Sequence, residues 1–351
     1  MDALGLQLLE ASTVALQSGI VESTIEGLQR LLQPDSFIKQ TINGLRLGFI
    51  LFLIAAGLTV ILGILDVLNL AHGELYALGA YIAASVSGLL IGQGTAAIMA
   101  PPSSFDPVWS FVFVGVVILV ALITAVILVP VGVVMETVFI RPIYERDQVY
   151  QLVLTFALLL IIANVIEFIW GPNPQTLQDG SRTAINDIPS FELVGLSEIP
   201  TLVAVVVTVS LAVGLLLFWF FSKTKTGRII RATAIDREMA TALGISPDRT
   251  FTLVFALGAF LAGFGGAMEL IQTRAQAGMG EDVLVLSFVV IVVGGLGSLR
   301  GAVVGALVIG LLQTYMTVVQ PSLETAAPFM VMVLVLLVKP EGLFGTWGER
   351  T

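Results

Sequence analysis

The chain has 351 residues, 57% of them hydrophobic and 12% charged, with a mean hydropathy of +1.00. Soluble domains carry about one-quarter charged residues, and no soluble fold of this length hides so much apolar surface, so the composition points to a bilayer. A net charge of −9 argues against a nucleic-acid partner, and the absence of cysteine excludes disulfides, thiolate zinc sites and cysteine nucleophiles.

In chain order, residues 1–42 come first. They lack the basic n-region and compact apolar core of a cleavable signal peptide. Residues 4–32 carry apolar side chains at mixed helical spacing, and Pro34 is placed to end such a helix. This stretch reads as an N-terminal extension, partly an amphipathic helix. A helix crosses the hydrocarbon core with about 20 apolar residues. Candidate spans are 45–65, 75–93, 108–135, 151–170, 200–222, 251–272, 300–319 and the short run 326–338. The apolar runs are continuous rather than alternating, which selects helices over barrel strands. A further short run, 283–297, ends in Gly294, Gly295 and Gly297, and reads as a tilted span or a broken one. The expected fold is all-α: a polytopic transmembrane bundle of eight or nine spans. It forms one domain, 43–345, followed by a short tail, 346–351.

Basic residues orient the spans. The 136–150 connection carries Arg141 and Arg146; the 223–250 connection carries Lys223, Lys225, Arg228, Arg231, Arg237 and Arg249. Parity places both in the cytoplasm. The 94–107 and 171–199 connections, with no basic residue and one respectively, fall outside. Nine spans put Lys339 and the C-terminus in the cytoplasm. Arg30, Lys39 and Arg46 conflict with the rule, because they precede the first span on the outer side.

No GxxxxGK[ST] loop is present, so this chain does not hydrolyse ATP by itself, and a single histidine with no HExxH pattern gives no metalloenzyme site. Three segments carry the remaining signal. The first, 65–81, places Asp66, Asn69, His72 and Glu74 between two spans. They line a cavity at membrane depth, or they are wet residues of a cytoplasmic turn. The second, 226–244, is the most basic connection, with Ala232, Ile235, Met239, Ala242 and Leu243 at helical spacing and Gly244 as a stop. It reads as one short amphipathic helix, lying on the membrane interface or docking a soluble partner. The third, 293–305, is glycine-rich, for helix packing or for unwinding near a substrate. Glu136, Glu167 and Glu269 sit near span ends and read as interfacial rather than as a proton relay.

Together these segments resemble the permease subunits of branched-chain amino acid ABC importers, a family that also holds urea and short-amide importer permeases. The resemblance rests on GLTVILGILDVLNLAHGELYALGAY (57–81), RPIYERD (141–147), GRIIRATAIDREMATALGI (227–245), GGLGSLRGAVVGALVIG (294–310) and KPEGLFG (339–345). It implies a pore built with a second permease subunit and driven by two separate ABC ATPase subunits. An external solute-binding protein would deliver the substrate. ATP is then used by the partners, and this chain binds no cofactor and no metal and catalyses no reaction. The resemblance also implies a coupling helix around Arg231, Asp236, Glu238, Ala242, Leu243 and Gly244. It puts Asn69, His72, Glu74, Gly294, Gly295, Gly297 and Ser298 near the translocation path. The competing readings are a urea or short-amide permease, an ion-coupled carrier, for which mid-membrane coupling groups are sparse, and an intramembrane enzyme, for which catalytic sets are missing.

Overall fold

In the computed structural model, which describes residues 21–92, 107–177, 190–193 and 197–345, Pro34 ends one helical segment and starts the next. Residues 21–31 are helical, a turn follows, and Pro34 takes the first position of α1 (Pro34–Leu65). Its missing N–H costs nothing there, since the first amides of a helix have no intrahelical acceptor. Residues 34–42 of the expected extension are thus the start of the first span's helix, a turn at 32–33 separates them from 21–31, and 1–20 lie outside the described residues.

All of 50–61 in α1 is buried. A helix that is apolar all round suits lipid or protein; here neighbouring helices enclose the middle of α1, the central post of the bundle. After it come α2 (His72–Gly92), α3 (Pro107–Val134) and α4 (Gln148–Trp170). A two-stranded antiparallel hairpin follows, β1 (Ser190–Leu193) with β2 (Ser197–Pro200). The rest is helical: α5 (Thr201–Lys223), α6 (Lys225–Ile235), α7 (Arg237–Ala242), α8 (Pro247–Leu270), α9 (Met279–Gly294), α10 (Leu299–Val319) and α11 (Ala327–Val338). The hairpin is a small addition to an otherwise helical bundle.

Helices α5, α8, α9 and α10 all pack on α1. Small residues let the backbones touch. Gly44 and Gly48 of α1 lie against Gly310 and Ala306 of α10, and Gly79 of α2 lies against Gly263 of α8.

Among the described residues, seven helices are long and apolar enough to cross a membrane. The two short hydrophobic helices of the expected eight or nine are α9, with 16 residues, and α11, with 12. At 1.5 Å per residue they span about 24 and 18 Å. The glycines that close the 283–297 run end α9 at Gly294.

The basic connections meet at one end. α3 continues through a π turn, Met135–Ile140, and a 3-10 turn, Arg141–Ile143. Here Glu136 is fully buried and accepts from Arg141 Nε at 3.0 Å, Arg141 Nη2 at 2.8 Å and Tyr144 OH at 3.1 Å, with the Thr252 hydroxyl of α8 at 2.8 Å. Burial, and after it the Glu136 carboxylate, hold the Tyr144 phenol well above its usual range, so Tyr144 stays a proton donor to Glu136. Tyr144 packs edge-on against Phe251, and Arg237 stacks on the same ring at 5.0 Å.

At the opposite end, Gln175 bridges Ala275 and the indole of Trp170 donates to Ser85 Oγ at 2.7 Å. The three basic residues that conflict with the charge rule lie here too, and each is paired with an acid. Arg30 bonds Glu26 and Lys39 bonds Asp35, both one helical turn away, and Arg46 bonds Glu269 at 2.8 Å in a half-buried pair.

A broken second span and a cytoplasmic elbow

α1 stops at Leu65 because Asp66 enters the left-handed region, φ 58°, with its N–H still bonded to Leu62 O. Aspartate tolerates that conformation better than most residues. Residues 67–71 then run without helix back into the bundle. Asn69 restarts the helix. Its side-chain Oδ1 accepts from Ala71 N at 3.1 Å and its carbonyl from His72 N at 3.2 Å, an Asx turn. The Thr155 hydroxyl of α4 reaches Leu68 O at 3.2 Å.

Depth follows from one contact. His72 Nε2 lies 3.2 Å from Ile54 O, about 16 Å up α1 from Leu65 at 1.5 Å per residue. α2 therefore begins near mid-membrane, and by Ser85 it has reached the level of Trp170 at the end of α4. Extended chain covers the first part of this crossing and helix the rest. Such backbone survives at membrane depth only where protein encloses it or it lines a cavity.

Asn69 and His72 are fully buried and Glu74 is 3% exposed, which removes the wet-turn reading for these three, while Asp66 at the turn is exposed. Among the described residues, Asn69 Nδ2 and His72 Nδ1 have no hydrogen-bond partner. Gly73 and Glu74 press on Gly280, so the first turns of α2 and α9 meet.

The glycine segment lies elsewhere, at the basic end. Gly295 (φ 106°) and Gly297 (φ 75°) turn the chain from α9 to α10, and Ser298 caps α10 through Gly301 N at 3.1 Å. Gly294 packs on Gly301. The 339–345 stretch folds back onto this turn, Leu343 N bonding Val293 O and Phe344 N bonding Gly294 O. Gly297 and Ser298 join Gly63, Arg231, Ile235 and Arg300 around a cavity of about 430 Å³. Arg231 is thus brought together with Gly297 and Ser298, whereas Asn69, His72 and Glu74 form a separate group deeper in the bundle.

The basic connection is two helices rather than the one expected. Asp236 is extended (φ −148°, ψ 101°) and its Oδ1 accepts from Met239 N at 2.8 Å, which caps α7 and ends α6. Gly244 (φ 80°) closes α7. Ile230 and Ala240 anchor this elbow inward. Outward it shows Ile235 (83% exposed), Met239 (58%) and Leu243 (74%), with Arg231, Glu238 and Ala242 also exposed. Sequence reasoning missed the Arg46–Glu269 pair, since no local pattern links residues 223 positions apart. Among the described residues no group of His, Asp and Glu could hold a metal ion.

A multi-pass helical bundle with a discontinuous span at its heart and an apolar elbow at its basic end has the build of a membrane transport component. The chain belongs to the family described as branched-chain amino acid transport system / permease component, which matches residues 40–338. It is similar to the high-affinity branched-chain amino acid transport system permease protein LivH of Escherichia coli strain K12. Identity is 30% over 320 residues, 88% of this chain and 96% of that one. BraD of Pseudomonas aeruginosa, a permease protein of the same description, is 28% identical over the same shares of each chain. The probable branched-chain amino acid transport permease protein LivH of Methanocaldococcus jannaschii is 25% identical over 327 residues, 90% of this chain and 95% of that one. The chain is a multi-pass permease component of an ABC transport system with other subunits, not an enzyme.

Proposed function

We propose that this chain forms half of the pore of an ABC importer for branched-chain or related small amino acids. A second, related permease subunit supplies the other half, and two ABC ATPase subunits hydrolyse the ATP. An external solute-binding protein delivers the substrate. The single observation that carries the reading is the elbow. Ile235, Met239 and Leu243 stay exposed beside Arg231 and Glu238, and apolar side chains held out on a rigid, capped helix pair suit a groove in a soluble partner. Rigid-body movement of the ATPases would pass through this contact to the bundle. The names of the full-length relatives supply the substrate class.

The test is co-expression with the candidate ATPases, second permease and binding protein, followed by reconstitution. A stable complex and ATP-dependent uptake of leucine are expected. Failure of the ATPases to co-purify, together with uptake that needs no ATP, would overturn the reading.

A further inference from the structure

A pocket of about 100 Å³ lies between α2, α4 and the α8–α9 connection, on the side of the bundle away from the basic end. Glu74, Tyr81, Asn164, Glu167, Gln276 and Gly278 border it. No lysine or arginine does, among the described residues.

Glu74 is the informative member. It is 97% buried, since only 3% is exposed, it faces this pocket, and no described residue gives it a hydrogen bond or an ion pair. The other two buried span acids are treated differently: Arg141 holds Glu136 and Arg46 holds Glu269. A carboxylate this deep costs several kcal/mol unless a positive or hydrogen-bonding group meets it. The first turns of α2 and α9 offer partial positive charge nearby, but Glu281 and Asp282 already occupy the α9 turn.

The second observation is on α4. Asn164 and Glu167 are exposed in the outer half of a span whose other exposed residues, such as Ile161, Val165 and Phe168, are apolar. Glu167 lies one turn from the end of α4, within reach of interfacial water, and Asn164 Nδ2 donates to Leu160 O at 2.7 Å. The α2–α4 edge is therefore wet at its outer end.

We infer that this pocket is a subsite for the ammonium group of a small solute, with Glu74 as the buried counter-charge and Glu167 at the rim. The inference rests on the importer reading for its place on the transport path, but not for the binding itself. A volume of about 100 Å³ holds some three waters at about 30 Å³ each. That is room for an ammonium head. The pocket would read the amine common to amino acids and leave side-chain selection to other surfaces.

The binding test uses the full chain in lipid nanodiscs, heated in methylammonium chloride or in sodium chloride at equal ionic strength. A ligand of the folded state raises Tm. Methylammonium is expected to raise it by about 2 °C or more beyond sodium, and Glu74→Gln to abolish the difference. Glu167→Gln, at the exposed rim, keeps the test decisive if Glu74→Gln does not fold; it should at least halve the shift. Equal curves in the two salts, or a shift that survives both substitutions, overturn the subsite. In the assembled importer, both variants should lower leucine uptake at least tenfold while the ATPases still co-purify. Unchanged uptake overturns its place on the path. An amine shift without ATPase binding would instead sink the importer reading and leave the subsite standing.

Discussion

Residues 66–74 and 235–243 use the same local device in opposite surroundings. In each, an Asx side chain starts a new helix after a break: Asn69 through Ala71 N and Asp236 through Met239 N. In the first, Asn69, His72 and Glu74 are buried and the new helix starts inside the bundle. In the second, the apolar residues are exposed and the break lies outside the bundle. The break is written locally; the role comes from what surrounds it. A buried break with unpartnered polar atoms is built to face a path, and an exposed one with apolar tips is built to face a partner. Packing changes in the first, as at Gly73, should cost folding, and changes in the second should cost only assembly and transport.

The largest effect is expected at Gly73. A Cβ there would collide with Gly280 O and lie 2.7 Å from Leu284 Cβ. Both neighbours belong to α9, so relief requires the helices to part. Gly73→Leu should leave almost no monodisperse protein on size exclusion, since overpacking of a tight site costs about 1–3 kcal/mol or more. A normal elution peak and unchanged Tm would show that the α2–α9 contact is looser than drawn.

Next comes the half-buried Arg46–Glu269 pair. Glu269→Ala leaves the Arg46 guanidinium without its partner in a site where both side chains are 13–15% exposed. Removing one member of a buried pair costs about 3 kcal/mol, the low end for full burial. The exposed Arg30–Glu26 pair, broken by Glu26→Ala, should cost less than about 1 kcal/mol. Thermal unfolding in one detergent compares the two, and equal losses would deny that burial makes the difference.

How much of this was legible in the sequence follows the same division. The long spans were legible because about 20 continuous apolar residues allow few other structures. The place where 66–71 sits was not. Asp66, Asn69 and His72 look alike in sequence whether wet or enclosed, and their depth is fixed by Ile54 and by Thr155, 87 residues beyond Leu68. The elbow was legible as amphipathic and basic, but its break was not, because the spacing of Ala232, Ile235 and Met239 runs through Asp236 as though one helix continued. The glycine run at 294 was ambiguous between packing and path. Close approach to Gly301 and to the 343–345 backbone fits the packing part, while Gly297 and Ser298 border a cavity.

On the exposed side of the comparison, Met239→Ser with Leu243→Ser should change Tm little, since surface changes shift stability within about 0.5 kcal/mol. ATPase binding should weaken by about 2 kcal/mol, roughly 30-fold, if these tips are anchors. Pull-down at graded detergent-solubilised ATPase concentrations measures it. A lower Tm with unchanged binding would reverse the roles assigned to the two breaks.

The smallest effect is expected at Asp236, and it is the sharpest test of the shared device. Asp236→Ala removes the acceptor 2.8 Å from Met239 N, a cap worth about 1 kcal/mol. α7 has only six residues, so little else holds its first turn. Its amides should exchange roughly fivefold faster by hydrogen–deuterium mass spectrometry, with α8 and α1 unchanged, because the elbow opens locally. Uptake should fall by a similar factor, since a frayed α7 presents Met239 and Leu243 less often. Asp236→Asn, which keeps the acceptor oxygen, should restore both. If Ala and Asn behave alike, the charge near the basic loop matters rather than the cap, and the likeness to Asn69 is only one of outline.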